Sequence, residues 1–424
     1  MSYLESLNIF TPHQYGFRRG SSTAHAALWL VNAIHSQIGA GQHCGVAFVD
    51  IKNAFPSVDH QILFKKLEHY GIRGYVLQWL ESFVSGRSMH VFNKVASATV
   101  TTTRGVPQGS ALGPLLFLIY YNDVVASVSC RSVLFADDTA LLVSSASLSD
   151  ASRELNVALG ELSNYFQVNK LLLNVRKTEC LFPYEDIESV PPVEYDTHRL
   201  TVVSSFKYLG AHIDQMFTWK AHEEHIISKV KTRIYMMYRS RYCCSAAGRK
   251  LLFTAMILPH FWYCIEVWRA CSQTLSGAVE VLYRHCMRIV LNDTGFMPSL
   301  TNSDLYDKID LLPLYLEFQF RTACLLFSAV KLDAIPNLRG LFLRKVTHRV
   351  TRDSDDEHQL QIPFTRSERE RSAICWWGCI LWSRVPVGLR NVASLKEFRL
   401  EYMHYLLCKL NANVNLNRKF YDFV

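Results

Sequence analysis

The stretch "SVLFADDTALLVSS" (132–145) sets two acids, Asp137 and Asp138, side by side between two apolar runs, Val133-Leu134-Phe135 and Ala140-Leu141-Leu142-Val143. Apolar runs this short predict two buried strands joined by a hairpin with both charges at its tip. Asp is a common turn residue, because its side chain hydrogen-bonds the nearby backbone. The pair also suits a second role, holding a hard divalent cation such as Mg²⁺, which prefers carboxylate oxygens. The tetrapeptide Phe135-Ala136-Asp137-Asp138 does not choose between the two, so the choice falls to the rest of the chain.

A third acid lies upstream. In "CGVAFVDIKNAFPSV" (44–58) the near-continuous apolar run Val46 to Val49 ends in Asp50, which predicts a buried strand delivering an acid at its C-terminal end. If the two strands are neighbours, three carboxylates converge at one sheet edge and repel one another unless a cation neutralises them. A two-metal site resolves the repulsion and supplies a chemistry, activation of a hydroxyl and stabilisation of a leaving oxygen in phosphoryl transfer. Between the acids lies Gly105-Val106-Pro107-Gln108-Gly109, followed by Gly113-Pro114 and Phe117. Glycines there permit close backbone approach to a ligand, and Gln108 offers a donor and an acceptor to a base or sugar edge. The same residues would also serve as a simple helix-entry turn.

The 424 residues predict two or three domains, and 49% apolar with 19% charged residues suits a packed protein rather than a disordered one. A net charge of +8 favours a polyanionic partner. The start, "MSYLESLNIF", lacks the basic and apolar regions of a signal peptide. Twelve irregularly spaced cysteines point to free thiols in a reducing, intracellular compartment. The apolar run Leu251 to Trp268 contains Pro259, His260 and Glu266. It is expected to be a buried helix ending at the proline, then a second apolar segment, rather than a membrane span.

Helices are expected over 21–39, 59–71 and 76–87, and a long amphipathic one from Asp150 to Phe166. A strand follows Lys177, a linker-like composition occupies 189–197, and "FKYLGAHID" (206–214) returns to strand character. From Trp219 to Leu291 the chain reads as helical and basic, and the remainder as helical with an acidic loop at 352–358. The expected fold class is α+β: a mainly antiparallel sheet with helices packed on one face, then an all-α C-terminal half.

The ordered set "QYGFRRGSST" (14–23), "FVDIKNAF" (48–55), "GVPQGSALGPLLF" (105–117), "FADD" (135–138), "NKLLLNVRKTE" (169–179) and "FKYLG" (206–210) resembles the reverse transcriptase of a non-LTR retrotransposon, of the jockey- or LINE-like kind. The resemblance continues through "FTWKAHEEHI", Ile257-Leu258-Pro259, and the C-terminal "HRVTR", "IPFTRSERERS" and "ILWSRVPVGLRNVASLKEF". It implies a right-hand polymerase. Fingers and palm with an antiparallel sheet would occupy 1–214, a helical thumb 215–300, and a helical region 301–424.

Residue by residue, the resemblance makes Asp50, Asp137 and Asp138 the ligands of two Mg²⁺ ions, with Mn²⁺ an alternative. Phe55 takes the position of an aromatic that blocks a 2′-hydroxyl, and Gln108 and Gly109 lie near the incoming nucleotide. Arg18 is the candidate triphosphate contact, and Lys177 the candidate for assisting pyrophosphate departure. Tyr208, Leu209 and Gly210 look like the strand turn that grips the primer. Partners follow: an RNA template, a DNA primer or target, and dNTPs, with a nuclear location and no membrane. Many relatives carry an Asp after the aromatic where this chain has Pro56, which bears on local backbone shape rather than on metal binding. The family usually has more fingers sequence upstream and an endonuclease domain, so a truncated element with a separate or missing endonuclease is expected. Two rivals stand beside this reading: an inactive remnant that only binds nucleic acid, and an RNA-templated RNA polymerase, against which Phe55 counts.

Other ligand patterns are weaker. Cys375, Cys379, His404 and Cys408 have zinc-like pairwise spacing, but "ICWWGCILW" reads better as a buried apolar helix. His222 and His225 miss the i, i+4 spacing of a zinc-protease helix and are expected on a polar helix face.

Overall fold

The computed structural model describes residues 2–90, 92–93, 95–268, 275–295, 299–344, 358–365 and 367–411. "HRVTR" and the acidic loop, apart from His358, lie outside the described residues. The chain divides into two compact units. One comprises residues 1–26 with 41–204, the other 27–40 with 205–424.

The first unit is built on a five-stranded sheet: β1 (His43–Val49), β2 (Arg131–Phe135), β3 (Asp138–Ser145), β4 (Glu179–Leu181) and β5 (Thr201–Val202). Their spatial order is β5-β4-β1-β3-β2, with β5 parallel to β4 and the other pairs antiparallel. The central pair β1–β3 runs in register from His43 opposite Ser145 to Val49 opposite Thr139. One face of this pair, carrying Ala47, Val49, Leu141 and Val143, shares a core with Leu155, Leu159 and Leu162 of α4 (Leu148–Val168). The alternate residues Val46, Phe48, Ala140 and Leu142 are also buried. Both faces of this pair are dry, which is why these strands read as unbroken apolar runs.

Local chemistry explains the helices. In α1 (Thr23–Gly39) the apolar residues recur at helical spacing up to the terminal glycine. Asp59 caps α2 (His60–His69) by accepting from the Ile62 amide at 3.2 Å. Pro114 lies in the first turn of α3 (Gly113–Tyr121), where its missing N–H costs nothing. From Leu116 to Tyr121 every residue of α3 is buried, so this helix forms the centre of the unit rather than its surface. Ser147 caps α4 by accepting from the Asp150 amide. The linker-like stretch 189–197 is packed, not free: Val190, Val193 and Tyr195 are buried, and Ser152 donates to the Pro191 carbonyl at 3.1 Å. Its prolines withhold backbone N–H groups but leave carbonyls for α4 to bind.

Among its described residues the second unit is mainly helical, with a hairpin, β6 (Ser205–Tyr208) and β7 (Ala211–Asp214), that packs on α5 (Lys220–Ser240). Trp219, Trp268 and Trp382 are fully buried in it. The apolar run does not stop at Pro259. A π turn, Phe253–Ile257, precedes it, and the Leu258 amide reaches the Phe253 carbonyl. Pro259 then lies in the first turn of the next helical segment, Leu258–Trp262, where its missing N–H is tolerated. The run Ala246–Trp268 is long and apolar enough to cross a membrane by length and composition, and 44% of its apolar window is buried. His222 corrects another expectation: it is buried, 2% exposed, with its ring against Trp268, whereas His225 is half-buried. Helical spacing alone could not reveal that β7 and Trp268 cover this side of α5.

Candidate active site

Asp50 follows β1 directly, and its backbone is held on both sides. Its N–H donates to Thr178 Oγ1 at 3.3 Å, and its carbonyl accepts from the Asn174 amide at 2.8 Å. The Lys52 amide donates to the Leu172 carbonyl, extending the pairing past the strand end. Lys177 lies within this bracing segment, its amide bound to the Asn174 carbonyl at 3.0 Å and its side chain exposed.

Strands β2 and β3 form a hairpin closed by the Phe135–Asp138 pair, so Ala136 and Asp137 are its two-residue turn. Ala136 has φ 59°, a left-handed conformation that costs an L-residue about 1–2 kcal/mol. Asp138 opens β3. Behind it, Thr139 is buried, and its hydroxyl meets that of the fully buried Tyr121 at 3.1 Å.

The three acids feel one another. Desolvation is the largest effect on Asp137, and it outweighs the turn's own amide; together with the charge of Asp50 it raises the carboxyl above the usual range. Asp138 is exposed as a residue, yet protein atoms crowd its carboxyl. This crowding, then the charges of Asp137 and Asp50, push it up to about 6. Three oxygen-rich anions that repel one another match a hard divalent cation in donor chemistry. They are not drawn into a finished cage: among the described residues, no three acidic, His or Cys side chains form a group that could hold an ion.

Phe55 is half-buried and stacks on Phe117, with ring centroids 4.9 Å apart and planes at 16°. The Gly-rich loop is tied to the Phe55 segment. Val106 donates to the Phe55 carbonyl at 3.0 Å, Gly105 donates to the Val58 carbonyl at 2.7 Å, and His60 Nε2 pairs with the Gly105 carbonyl at 2.9 Å. Pro56 packs on Gly105, where a Cβ would come within 2.9 Å of the Pro56 backbone. Beyond this anchor Gln108 and Gly109 are exposed. Gly109 has φ +77° with open space around it.

Arg18 is turned toward its own neighbours: Nε lies 3.4 Å from Glu5, a guanidinium nitrogen donates to the Thr11 carbonyl, and the group lies over Phe10. Tyr208, Leu209 and Gly210 belong to the second unit. Tyr208 is buried, and Leu209 (φ 46°) with Gly210 (φ +88°) makes the β6–β7 turn. Both central residues are left-handed, as a tight hairpin requires. Tyr263 covers this turn, donating its hydroxyl to the Leu209 carbonyl.

Of the C-terminal candidates, the Cys375 amide binds Asn32, Cys379 is buried, and Cys408 faces His404 on the exposed side of a helix.

One participant escaped the sequence reading. The buried amide of Gln14 binds the Ala136–Asp137 turn, although the two are 122 residues apart. The only signal was its presence in "QYGFRRGSST", where attention falls on the arginines.

The model of the reverse transcriptase (RNA-dependent DNA polymerase) family matches residues 1–238. The chain belongs to that family. Among curated relatives, the probable RNA-directed DNA polymerase from transposon X-element of Drosophila melanogaster is 25% identical over 316 residues, covering 71% of this chain and 34% of that protein. The RNA-directed DNA polymerase from mobile element jockey of Drosophila funebris is 26% identical over 296 residues, covering 67% and 32%. The chain thus spans about a third of the length of these relatives. Among solved structures, apo telomerase from Candida tropicalis aligns with a TM-score of 0.41 at 11% identity, over 79% of this chain and 59% of that one.

Proposed function

We propose that the chain is an RNA-directed DNA polymerase that extends a primer 3′-hydroxyl with dNTPs on an RNA template, in the copying of a non-LTR retrotransposon. The observation that carries this reading is the convergence of Asp50, Asp137 and Asp138 at one end of two paired strands, within electrostatic reach of each other. In the proposal these carboxylates bind two Mg²⁺ ions. When bound, the ions lower the barrier to in-line phosphoryl transfer by stabilising the attacking and leaving oxygens.

The chain's own residues do the rest. The segment 172–178 holds the Asp50 backbone rigid. Phe55, restrained by Phe117, closes the space a ribose 2′-hydroxyl would need. Gln108 and Gly109 offer donors and backbone to the incoming nucleotide from a loop fixed at Gly105. Lys177 supplies a cation for pyrophosphate departure. Arg18 reaches the triphosphate after leaving Glu5. Residues 1–214 would act as fingers and palm, 215–300 as a thumb that tracks phosphates without reading sequence, and 301–424 as a helical extension. Tyr208, Leu209 and Gly210 grip the primer strand. The template and target DNA make the nucleus the place of action.

A second reading, a nucleic-acid binder without catalysis, is favoured by the acids not forming a finished ion cage. Primer extension by the purified chain separates the two, using RNA and DNA templates with Mg²⁺ and Asp138→Asn as control. Extension on RNA that the variant loses supports the polymerase. Duplex binding with no extension leaves only the binder.

A further inference from the structure

We infer that Gln14 is a positioning residue for the acidic turn, setting the place of the Asp137 carboxylate through the backbone of Ala136. This rests on the reading of the three acids as a metal site.

Residues 13–16 run beside β2. Gln14 forms a parallel bridge with Leu134, the Tyr15 amide donates to the Leu134 carbonyl at 2.8 Å, and the Leu134 amide donates to the His13 carbonyl at 2.9 Å. This pairing delivers the Gln14 side chain, only 4% exposed, to the hairpin tip. There Oε1 accepts from the Ala136 amide at 2.9 Å and from the Gly16 amide at 2.7 Å, while Nε2 donates to the Ala136 carbonyl at 3.3 Å. One side-chain amide therefore satisfies both backbone groups of the left-handed residue just before Asp137.

The chemistry selects Gln. The acceptor must take two N–H bonds and the same group must also donate. An ionised Glu has no donor, and Asn is one methylene shorter. Gly16 completes the fit, because a Cβ there would lie 2.3 Å from the Ala136 nitrogen. With its N–H and carbonyl both anchored, Ala136 cannot rotate its peptide units without breaking bonds to Gln14. The following residue, Asp137, is carried by that backbone.

The test is direct Mn²⁺ binding to the purified full chain, followed by the electron paramagnetic resonance signal of the free ion. Gln14→Ala removes the clamp, and Gln14→Met removes its hydrogen bonds while keeping its volume. Both should weaken Mn²⁺ binding about tenfold, the scale of one to two lost hydrogen bonds. Primer–template affinity should stay within about twofold. If Gln14→Ala does not fold, Gln14→Met carries the test. Mn²⁺ affinity equal to wild type in Gln14→Met overturns the inference. Asp138→Asn separates the two levels. Unchanged Mn²⁺ binding in that variant removes the metal-site reading and the inference with it. Lost binding there with an unaffected Gln14→Met removes the inference alone.

Discussion

Asp50 stands level with Asp138. The register pairs Val49 with Thr139 in antiparallel strands, so one step beyond each brings the two acids side by side, with Asp137 in the adjoining turn. Neither position is a passive strand end, since the backbone of Asp50 is bonded to Thr178 and Asn174 and the turn is bonded to Gln14.

Removing one of these charges is expected to abolish catalysis and spare the fold. Asp137→Asn or Asp138→Asn should reduce primer extension by at least about a hundredfold, since electrostatic groups at the reacting centre contribute on that scale. Primer–template affinity should remain within about twofold, because that affinity comes mainly from phosphate contacts. Primer extension at wild-type rates by both variants would reduce the hairpin to a turn.

The pH dependence of stability follows from Asp138. Its carboxyl is raised to about 6, by crowding first and then by Asp137 and Asp50, from an unfolded value of about 4. The folded chain therefore holds this proton more tightly than the unfolded chain. The resulting stability is present below pH about 4 and lost as pH rises through about 6. Asp138→Asn should match wild type near pH 4 and melt at a higher temperature at pH 7, without divalent ions. Melting curves at four pH values would test it, and a constant offset across that range would contradict the assignment.

Phe55 should govern sugar choice. A 2′-hydroxyl forced against a ring held by Phe117 meets overpacking of ~1–3 kcal/mol, roughly ten- to a hundredfold in rate at ~1.4 kcal/mol per tenfold. Phe55→Val should raise rNTP use by that factor and lower dNTP use only modestly. The dNTP-to-rNTP ratio of kcat/KM in both proteins is the measurement, and an unchanged ratio would make Phe55 a packing residue.

Gly105 is expected to be intolerant of a side chain. Its φ is +90°, and a Cβ would lie 2.9 Å from the backbone of Pro56. Gly105→Ala should cost about 1–3 kcal/mol in urea unfolding. It should also raise the KM for dNTPs, because the loop that bears Gln108 is moved. Wild-type stability and KM would argue that the loop and the Phe55 segment are not coupled.

The Leu209–Gly210 turn offers a test independent of catalysis. A Cβ on Gly210 would stand 3.0 Å from the Tyr263 ring at φ +88°, so Gly210→Ala should destabilise by about 1–2 kcal/mol. Tyr263→Phe, which loses the bond to the Leu209 carbonyl, should cost about 1 kcal/mol. Denaturant midpoints for both variants suffice, and no change in either would mean Tyr263 does not hold the turn.

The strands and helices that carry the site were legible because they are local. The near-continuous apolar run Val46 to Val49 read as a buried strand, and its next residue is Asp50. The run on each side of Asp137-Asp138 dictated a hairpin, and the order of six motifs pointed to the family that the match over residues 1–238 establishes. Tertiary structure decided what faces each of these residues. Arg18 looked free to meet a phosphate, yet it lies against Glu5 and Phe10. His222 was expected on a polar face, yet it is buried. The prolines at 191 and 192 looked like a linker, yet their carbonyls bind Ser152. Gln14 is the plainest case, since the turn it holds is 122 residues away. Periodicity along a chain records which positions avoid water, because burial repeats with the local geometry of a helix or strand. It carries no record of which distant group fills a hydrogen bond. That is determined only when the chain closes on itself and every buried polar group must find a partner.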